Sequence, residues 1–428
     1  MTKPYTTRDT CRACGSTYLT PLFSLGEQHV SDFVERDKVR AGVKVPIDVE
    51  LCRSCTLVQA KHTAPQELLY GGHYWYRSGV TKTMRDALRD VAGAAYEMVS
   101  PRSGDVVLDI GSNDGTLLRC YDEFSAQLIK VGVEPASNLW KEGKVGVSHL
   151  VQDFWNWERF CKTAQGDPEM SPRGWFKGAK IITALGMAYD LEDPNQFFAD
   201  VAKALAPSGV FVAQLMCLRN MLNVGDVGNF AHEHLEFYSL RSLISMFTRH
   251  GLEIFDLETN AVNGESYRLW VGHADALPPG AKGATAIDRV QTAWHAEKHL
   301  DKPETFERFF RGMELNKLRC REFLLRARAA GKKTWIIGAS TKGNCIAQWY
   351  GLDPSLIEAA CERSPEKVGK YTIGSGIPIK SEEEFRAAKV DYALVLPYTF
   401  RQEIMAREQK FRDGGGKFLI PLPNFEVA

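Results

Sequence analysis

Four of the ten cysteines in this 428-residue chain occur as two pairs near its start, at a spacing that suits a metal ion. Cys11 and Cys14 have two residues between them, and so do Cys52 and Cys55. Two such pairs supply the four thiolates of a tetrahedral structural zinc site and leave no position open for a substrate. The pattern therefore predicts a structural Zn²⁺; loose thiols or a redox pair are the alternatives. The other cysteines occur singly and indicate no chemistry.

A glycine-rich turn in the middle of the chain is typical of a nucleotide-binding site. A predicted apolar strand at 105–110 is followed by Gly111 and Gly115, which let the backbone approach a ligand closely. Asn113 and Asp114 interrupt the dinucleotide fingerprint. The turn therefore suits the charged amino-acid end of a cofactor better than a pyrophosphate.

Acidic residues follow the next two predicted strands of the same region. Glu134 comes about twenty residues after Gly115, where a carboxylate can bind both hydroxyls of a ribose. Asp153 and Phe154 stand where a third strand would end, and they suit the edge of an adenine ring. The predicted cofactor-binding residues are Asp109, Gly111, Asn113, Asp114, Gly115, Glu134, Asp153 and Phe154.

Three ionisable side chains follow one another in His232-Glu233-His234. Their spacing excludes the His-Glu-x-x-His helix of zinc proteases. In a strand the two histidines would share one face and Glu233 the other, whereas in a loop that relation lapses. Because histidine suits the role of a base near neutral pH, catalysis is one interpretation of the segment. The alternative is a polar loop that satisfies its own backbone.

A second loop bounded by glycines, at 338–344, follows a predicted buried strand. Parallel sheets bind ligands at the carboxyl ends of their strands, and hydroxyl, N–H and ammonium groups at this end could hold a diphosphate. The alternative is that the glycines serve helix–strand packing only. The predicted substrate-binding residues are His232, Ser340, Thr341, Lys342, Asn344, Glu362 and Arg363.

An aromatic segment with several glycines lies at 70–79. It is too polar and too interrupted for a core element. It is either a packed linker or a loop that closes over a ligand, in which case Tyr76 offers a phenol to the site.

Two units of alternating helices and strands must position these residues. Such alternation predicts Rossmann-like parallel sheets, and Leu277-Pro-Pro-Gly280 marks the boundary between the two. The predicted helices are 84–99, 194–205 and a long stretch at 287–330 that Pro303 interrupts; the predicted strands are 105–110, 128–133, 180–184, 209–214, 334–338, 390–396 and 417–421, and 353–361 is predicted as a helix followed by a strand that ends at Glu362.

A small β-module should carry the four cysteines. Strands are predicted at 22–26 and 45–51, and Pro46 should place the second at a sheet edge because proline has no N–H to donate. The predicted fold is therefore α/β in three parts: a zinc module at 1–75, a Rossmann-like cofactor domain at 76–278 and a second Rossmann-like domain at 279–428.

The charges balance, with 53 Lys and Arg against 53 Asp and Glu. A net charge of zero gives no electrostatic reason to expect a nucleic acid or an anionic membrane as a partner. No apolar run approaches the roughly 18 residues that a membrane-spanning helix needs, and the first residues carry no apolar signal core. We therefore expect a cytoplasmic protein that acts on a small molecule.

Taken together, these motifs resemble one family. The ordered set of Asp109, the glycine turn, Glu134 and Asp153 resembles the class I S-adenosylmethionine (SAM)-dependent methyltransferases. Four further features restrict this resemblance to one family within the class. They are the four cysteines, the Tyr-x-Tyr-x-Ser-Gly stretch at 74–79, the His-Glu-His segment and the loop at 338–344. Across nearly its whole length, the chain resembles the sugar-nucleotide C-methyltransferases that add a methyl branch to a 4-keto-deoxy sugar.

The resemblance implies roles for particular residues. SAM would bind in the middle domain and the nucleotide sugar partly in the C-terminal domain. His234 would be the general base, Glu233 a neighbour that orients the substrate or the base, and Tyr76 a phenol near the sugar. Two positions depart from the family pattern: Ala231 replaces a tyrosine, and Tyr189 replaces a histidine, so that a phenol becomes a further catalytic candidate.

The implied reaction is methylation of carbon 3 of a dTDP-, GDP- or CDP-linked 4-keto-6-deoxy sugar through an enolate. An O- or N-methyltransferase on a similar sugar or a small natural product is the alternative. A zinc-ribbon RNA-modifying protein is disfavoured by the balanced charge and by the lack of an Asn/Asp-Pro-Pro-aromatic element after the fourth strand. The motifs leave the oligomeric state open, a monomer included.

Overall fold

The computed structural model describes residues 4–71, 74–166, 178–260, 266–281 and 284–428. Gly72 and His73 of the predicted aromatic segment lie outside these residues. Within them, three sheets of four, seven and six strands organise a mixed α/β fold, as the sequence predicts.

The first part of the chain forms a small antiparallel sheet with strand order β12-β5-β4-β2. Both predicted strands are confirmed inside β2 and β4. Although β4 is internal, Pro46 lies where it pairs with β2 alone, because β5 pairs only with the stretch from Val49 to Leu51. The strands here are β1 (Thr6–Thr7), β2 (Leu19–His29), β3 (Phe33–Val34), β4 (Lys44–Cys52), β5 (Val58–Ala60) and β6 (His62–Thr63).

The middle part is a seven-stranded sheet of order β13-β14-β11-β10-β7-β8-β9. The strands from β7 to β11 run parallel, and the antiparallel β13 and β14, which the sequence did not indicate, extend one side. The elements are α1 (Lys82–Val99), β7 (Val106–Ile110), α2 (Thr116–Cys120), β8 (Ile129–Val133), α3 (Trp140–Gly143), β9 (His149–Val151), α4 (Trp157–Gly166), β10 (Ala179–Leu185), α5 (Pro194–Ala204), β11 (Leu205–Met216), α6 (Leu218–Asn223), β12 (Glu236–Phe237), α7 (Leu240–Arg249), β13 (Leu252–Asn260) and β14 (Ser266–His273).

The last part is a six-stranded sheet of order β18-β16-β15-β19-β20-β21, parallel except for its last strand. The predicted interruption at Pro303 is confirmed: this residue starts α9, where a proline needs no intrahelical donor. The elements are α8 (Ala284–Ala296), α9 (Pro303–Ala329), β15 (Thr334–Ile337), α10 (Thr341–Tyr350), β16 (Ala359–Glu362), β17 (Tyr371–Thr372), β18 (Ile379–Ser381), α11 (Glu382–Ala387), β19 (Tyr392–Val395), α12 (Arg401–Arg407), α13 (Gln409–Asp413), β20 (Lys417–Ile420) and β21 (Glu426–Val427).

Two short strand pairs connect the three parts. β12, which lies between α6 and α7 of the middle part, joins the first sheet through β5, and β3 of the first part pairs with β17 of the last. A single buried hydrophobic cluster includes Leu51, Phe230 and Leu394 and therefore spans all three parts. None of the helices in the described ranges is long and apolar enough to span a membrane.

Candidate active site

The four paired cysteines come together as predicted. Their Sγ atoms all lie within 4.8 Å of one another, with 3.5 Å between Cys11 and Cys55 and 3.5 Å between Cys14 and Cys52. A tetrahedron with Zn–S bonds of about 2.3 Å has sulfurs about 3.8 Å apart, so the cluster has the right size for zinc. The four sulfurs are therefore a structural zinc site.

A cavity of about 300 Å³ opens at the carboxyl ends of the parallel strands in the middle sheet. Its wall includes five of the eight predicted cofactor residues: Gly111, Asn113, Glu134, Asp153 and Phe154. Gly111 has a φ of 73°, and a Cβ on it would lie 2.9 Å from Cγ of Met187. A side chain at that position would therefore crowd the wall that the ligand must approach.

Glu134 is buried at the end of β8. Its two carboxylate oxygens accept hydrogen bonds of 2.8 Å each from the N–H groups of Asn113 and Ala136. Each oxygen keeps a further lone pair that can accept a hydroxyl. Burial raises the pKa of Glu134, and the two backbone bonds oppose that shift. This arrangement fits a ribose with two hydroxyls.

The other three predicted cofactor residues shape the turn without lining the cavity. Asp109 accepts a 2.6 Å hydrogen bond from the Thr183 hydroxyl, and burial raises its pKa to about 7. Asp114 accepts hydrogen bonds from the N–H groups of Gly79 and Thr116. Gly115 has a φ of 76°, and a Cβ there would lie 2.9 Å from a backbone oxygen at the end of α3.

The aromatic segment lies over the cofactor turn. The backbone N–H and C=O of Tyr74 bond to the side chain of Asn138, each at 3.0 Å. Further along, the Asn113 amide accepts from the Ser78 N–H at 2.9 Å and donates to the Tyr76 carbonyl at 3.2 Å. We call residues 74–79 the strap, since both ends are tied to the cofactor domain.

A second cavity of about 280 Å³ lies on the other side of the strap. Tyr74 and Tyr76 line both cavities, so the two spaces meet across these side chains. Although 44% of Tyr76 is exposed, desolvation by the surrounding protein raises its pKa to about 12, so the phenol stays protonated at neutral pH. The polar residues around the second cavity come from all three parts of the chain and include Ser31, Asp32, Glu233, Ser340, Thr341 and Lys367.

The His-Glu-His segment is a loop before β12, and only Glu233 of the three lines a cavity. Burial raises the pKa of Glu233 to about 7, and the charges of Lys342 and Lys367 oppose this shift. A carboxyl with that pKa can accept a proton at neutral pH and release it again.

His234 is buried beside Glu233 in the loop. Its Nδ1 lies 2.6 Å from the carbonyl oxygen of Asn229. Because a carbonyl can only accept, Nδ1 carries the proton and Nε2 keeps a lone pair. Burial lowers the pKa of His234 to about 3, so the ring is neutral in the physiological range. The Tyr189 ring meets it edge-on, with 4.9 Å between the centroids.

His232 points away from both cavities. Its Nε2 lies 2.8 Å from the carbonyl oxygen of Val45 in β4, and burial lowers its pKa to about 4. Tyr189 is also buried, and its carbonyl accepts from the N–H groups of Leu235 and Glu236. Neither side chain is among those that line the two cavities.

The loop at 338–344 reaches the second cavity through Ser340 and Thr341. Ser340 also caps α10 by accepting from the Gly343 N–H at 3.0 Å. Asn344 donates to the Ser31 hydroxyl at 3.2 Å, and Glu362 accepts from the Ala339 N–H at 3.0 Å. Asn344 and Glu362 therefore support the loop from behind.

The remaining predicted substrate residues lie elsewhere. Lys342 lines neither cavity, although its charge acts on Glu233 and His234. Arg363 is near the surface, 3.7 Å from Glu382 and 3.7 Å from Glu403.

Sequence reasoning missed several ionisable side chains in the cavity walls, among them Asp190 and Lys367. Asp190 lines the first cavity, and its Oδ1 is buried with no hydrogen-bond partner among the described residues. Lys367 lines the second, with its Nζ 2.9 Å from the Ala339 carbonyl oxygen and 4.4 Å from the Phe33 ring centroid. The one sequence feature that could have identified these two residues is their position, because each follows the end of a parallel strand.

The fold, the glycine turn and the zinc cluster together define a SAM-dependent methyltransferase. Comparison with protein families agrees along the whole chain: residues 11–70 match a zinc binding domain, residues 76–257 a methyltransferase domain and residues 261–423 the C-methyltransferase C-terminal domain. The chain therefore combines the zinc-binding, methyltransferase and C-methyltransferase C-terminal domains, as the resemblance implies.

A curated relative matches the chain over nearly its whole length. The chain is 28% identical over 425 residues to C-methyltransferase NovU of Streptomyces niveus, a match that covers 98% of this chain and 96% of the relative.

Solved structures give weaker matches, confined to less than half of the chain. Magnesium protoporphyrin IX methyltransferase from Synechocystis PCC 6803 is 10% identical over 44% of this chain and 77% of its own, with a TM-score of 0.31. The 1,6-didemethyltoxoflavin-N1-methyltransferase of Burkholderia thailandensis is 12% identical over 44% and 78%, with a TM-score of 0.32. Likeness at this level supports no argument about substrate.

Proposed function

We propose that the protein transfers a methyl group from SAM to carbon 3 of a nucleotide-linked 4-keto-6-deoxy sugar. One observation carries this proposal: the cofactor cavity and the second cavity meet across Tyr74 and Tyr76, and Glu233 lines the second. A methyl donor and an acceptor can then approach each other beside a group that takes a proton. The relative named as a C-methyltransferase supports carbon as the atom methylated.

Residues of the two cavity walls have different roles in the proposed reaction. SAM, when bound, supplies an electrophilic methyl group on a sulfonium. Glu134 would hold the ribose of the cofactor, and the backbone at Gly111 would lie against it. The protein's remaining task is to remove a proton from the carbon beside the ketone and to stabilise the oxygen as it becomes negative. A protonated phenol such as that of Tyr76 can donate a hydrogen bond to this oxygen.

The base belongs to the His-Glu-His loop. The family resemblance predicts His234, whereas the wall of the second cavity and a pKa of about 7 favour Glu233. We propose that Glu233 takes the proton and that neutral His234, through its free Nε2, orients the substrate or the carboxylate. The assignment reverses the two roles that the resemblance implies.

Two variants separate these assignments. Glu233→Gln should lower kcat by at least about a hundredfold, because an amide cannot accept the proton. His234→Asn should lower kcat less, by roughly tenfold, since it removes an orienting group. His250→Asn is the control, because His250 lies outside both cavity walls. SAM affinity, measured by titration, should stay within about threefold in all three proteins. A larger loss in His234→Asn than in Glu233→Gln would return the base to His234.

The reaction itself is tested with a small panel of substrates. The protein, SAM and dTDP-, GDP- or CDP-linked 4-keto-6-deoxy sugars, deuterated at carbon 3, are incubated together and the product mass is read. Methylation of carbon 3 replaces its deuterium by a methyl group, whereas O- or N-methylation, or methylation of carbon 5 on the other side of the ketone, keeps the deuterium. A methylated product that retains its full label would contradict methylation at carbon 3.

A further inference from the structure

The zinc module shares a sheet with the loop that carries Glu233. Glu236 and Phe237 of this loop form β12, which pairs with Gln59 and Val58 of β5. One further backbone bond, of 2.9 Å, runs from the Ala60 N–H to the Leu235 carbonyl. The loop is therefore fixed in space by the same strand pairing that builds the zinc module.

Arg12 links the metal site to that strand. It lies between two zinc ligands in the chain and is 2% exposed. Its guanidinium donates to the Ala60 carbonyl at 3.1 Å and to the Thr63 hydroxyl at 2.7 Å, and its backbone N–H donates to the Gln59 side chain at 2.8 Å. The position of the first cysteine pair thus sets the position of β5.

Glu236 continues the connection to the cofactor cavity. It is fully buried, and its Oε2 accepts a 3.2 Å hydrogen bond from the Leu191 N–H. The Tyr189 carbonyl accepts from the N–H groups of Leu235 and Glu236 at 2.8 and 3.1 Å. Since Asp190 and Leu191 line the cofactor cavity, β12 holds one wall of that cavity as well as Glu233.

Arg12 and Glu236 are both buried ionisable side chains with polar atoms that no hydrogen bond satisfies. These atoms are Nε and Nη1 of Arg12 and Oε1 of Glu236, and among the described residues none has a hydrogen-bond partner. Burial raises the pKa of Glu236 to about 8, and the charge of Arg12 opposes this shift. The two groups therefore influence each other through charge, without a direct ion pair among the described contacts.

We propose that Arg12 and Glu236 are positioning residues, through which the zinc module holds the base-bearing loop and the 189–191 segment in register for methyl transfer. Zinc binding would then maintain the geometry of the active site without contact between the metal and the substrate. The inference rests on the proposed function only for the identity of the reaction, because the coupling can be measured without an acceptor.

Zinc removal tests the coupling in the full chain. The protein is stripped with a chelator, and hydrogen–deuterium exchange is followed in peptides that cover 231–238 and 189–191. We expect exchange there to rise by at least about tenfold, while exchange in a peptide that covers β8 and Glu134 changes by less than about threefold, because β8 pairs with β7 and β9 and not with the zinc module. Re-addition of Zn²⁺ should restore protection. Unchanged exchange in both peptides would overturn the proposal.

Variants that retain zinc test the two residues. Glu236→Ala and Arg12→Met should each lower kcat by at least about tenfold with KM for SAM within about threefold. Glu408→Ala is the matched control, since Glu408 is a buried, arginine-paired carboxylate of the C-terminal part. It should lower the melting temperature and leave kcat unchanged.

Each remaining outcome has a defined meaning. If either variant fails to fold, the exchange result on the intact protein decides. Variants with normal kcat, or a control that loses kcat equally, would overturn the positioning role. If no sugar on the panel is methylated but zinc removal still loosens both peptides, the proposed function fails and the coupling stands.

Discussion

At the scale of single residues, burial shifts the pKa values of two neighbours in opposite directions. A buried site disfavours the charged form, so the pKa of Glu233 rises to about 7 while that of His234 falls to about 3. At neutral pH the imidazole is uncharged and the carboxyl is close to half ionised. The same buried environment therefore gives Glu233 a pKa near neutral pH and keeps His234 uncharged there.

The pH dependence of the rate should follow Glu233. As the pH rises through about 7, Glu233 loses its proton and becomes able to act as a base, so kcat/KM should increase with a midpoint near 7. His234 is already neutral above about pH 4 and should add no limb. Rates are measured between pH 5 and 9 in the wild type and in Glu233→Gln. Survival of the limb in the variant would show that another group titrates.

At the scale of elements, the carboxyl ends of parallel strands explain which predicted residues reach a ligand. Glu134 and Asp153 follow β8 and β9, and both line the first cavity. Asp114 follows β7, but its carboxylate accepts hydrogen bonds from the N–H groups of the strap and of the start of α2. Backbone N–H groups compete with the ligand for carboxylates, and local geometry decides which carboxylates remain available.

The positions of two lysines lead to a prediction for the C-terminal part of the chain. The sequence predicts Lys342 as the diphosphate ligand, whereas Lys367 lines the second cavity. Lys367→Met should weaken binding of the nucleotide sugar by at least about tenfold, and Lys342→Met, the matched control, should weaken it less than about threefold. Both should bind SAM normally. Titration with dTDP, GDP and CDP measures the effect, and a larger loss in Lys342→Met would restore the sequence-based assignment.

At the scale of the whole molecule, the reaction centre is connected to the C-terminal sheet by buried hydrogen bonds. The Tyr398 hydroxyl donates to Asp226, whose other oxygen accepts from the Asn229 amide. The Asn229 carbonyl in turn accepts the Nδ1 proton of His234. The residue whose backbone carbonyl holds His234 is therefore tied to Tyr398, more than a hundred positions away in the chain.

Removal of the Tyr398 hydroxyl should weaken this series of hydrogen bonds. Tyr398→Phe leaves one oxygen of buried Asp226 without its donor, so kcat should fall by roughly tenfold while SAM affinity stays the same. Tyr350→Phe is the control, because the Tyr350 hydroxyl is buried without a hydrogen-bond partner among the described residues. Steady-state kinetics measure both variants. Equal kcat in the two proteins would leave His234 independent of the C-terminal sheet.

Much of this organisation could be predicted from short stretches of sequence. Paired cysteines, a glycine turn and acidic residues after apolar strands act over a few residues, so their spacing alone predicts a zinc site and a cofactor turn. The interruption at Pro303 follows from the covalent structure of proline. These features need no knowledge of the distant chain.

The tertiary structure decided which side chains face a ligand. The second cavity is built from Ser31, Glu233 and Lys367, which are far apart in sequence and belong to different parts of the fold. Whether Glu233 or His234 points into it depends on β12 joining the zinc module, a pairing with no local signature. Sequence alone determined the class of chemistry because covalent spacing is local, and packing between distant elements determined the residues that perform it.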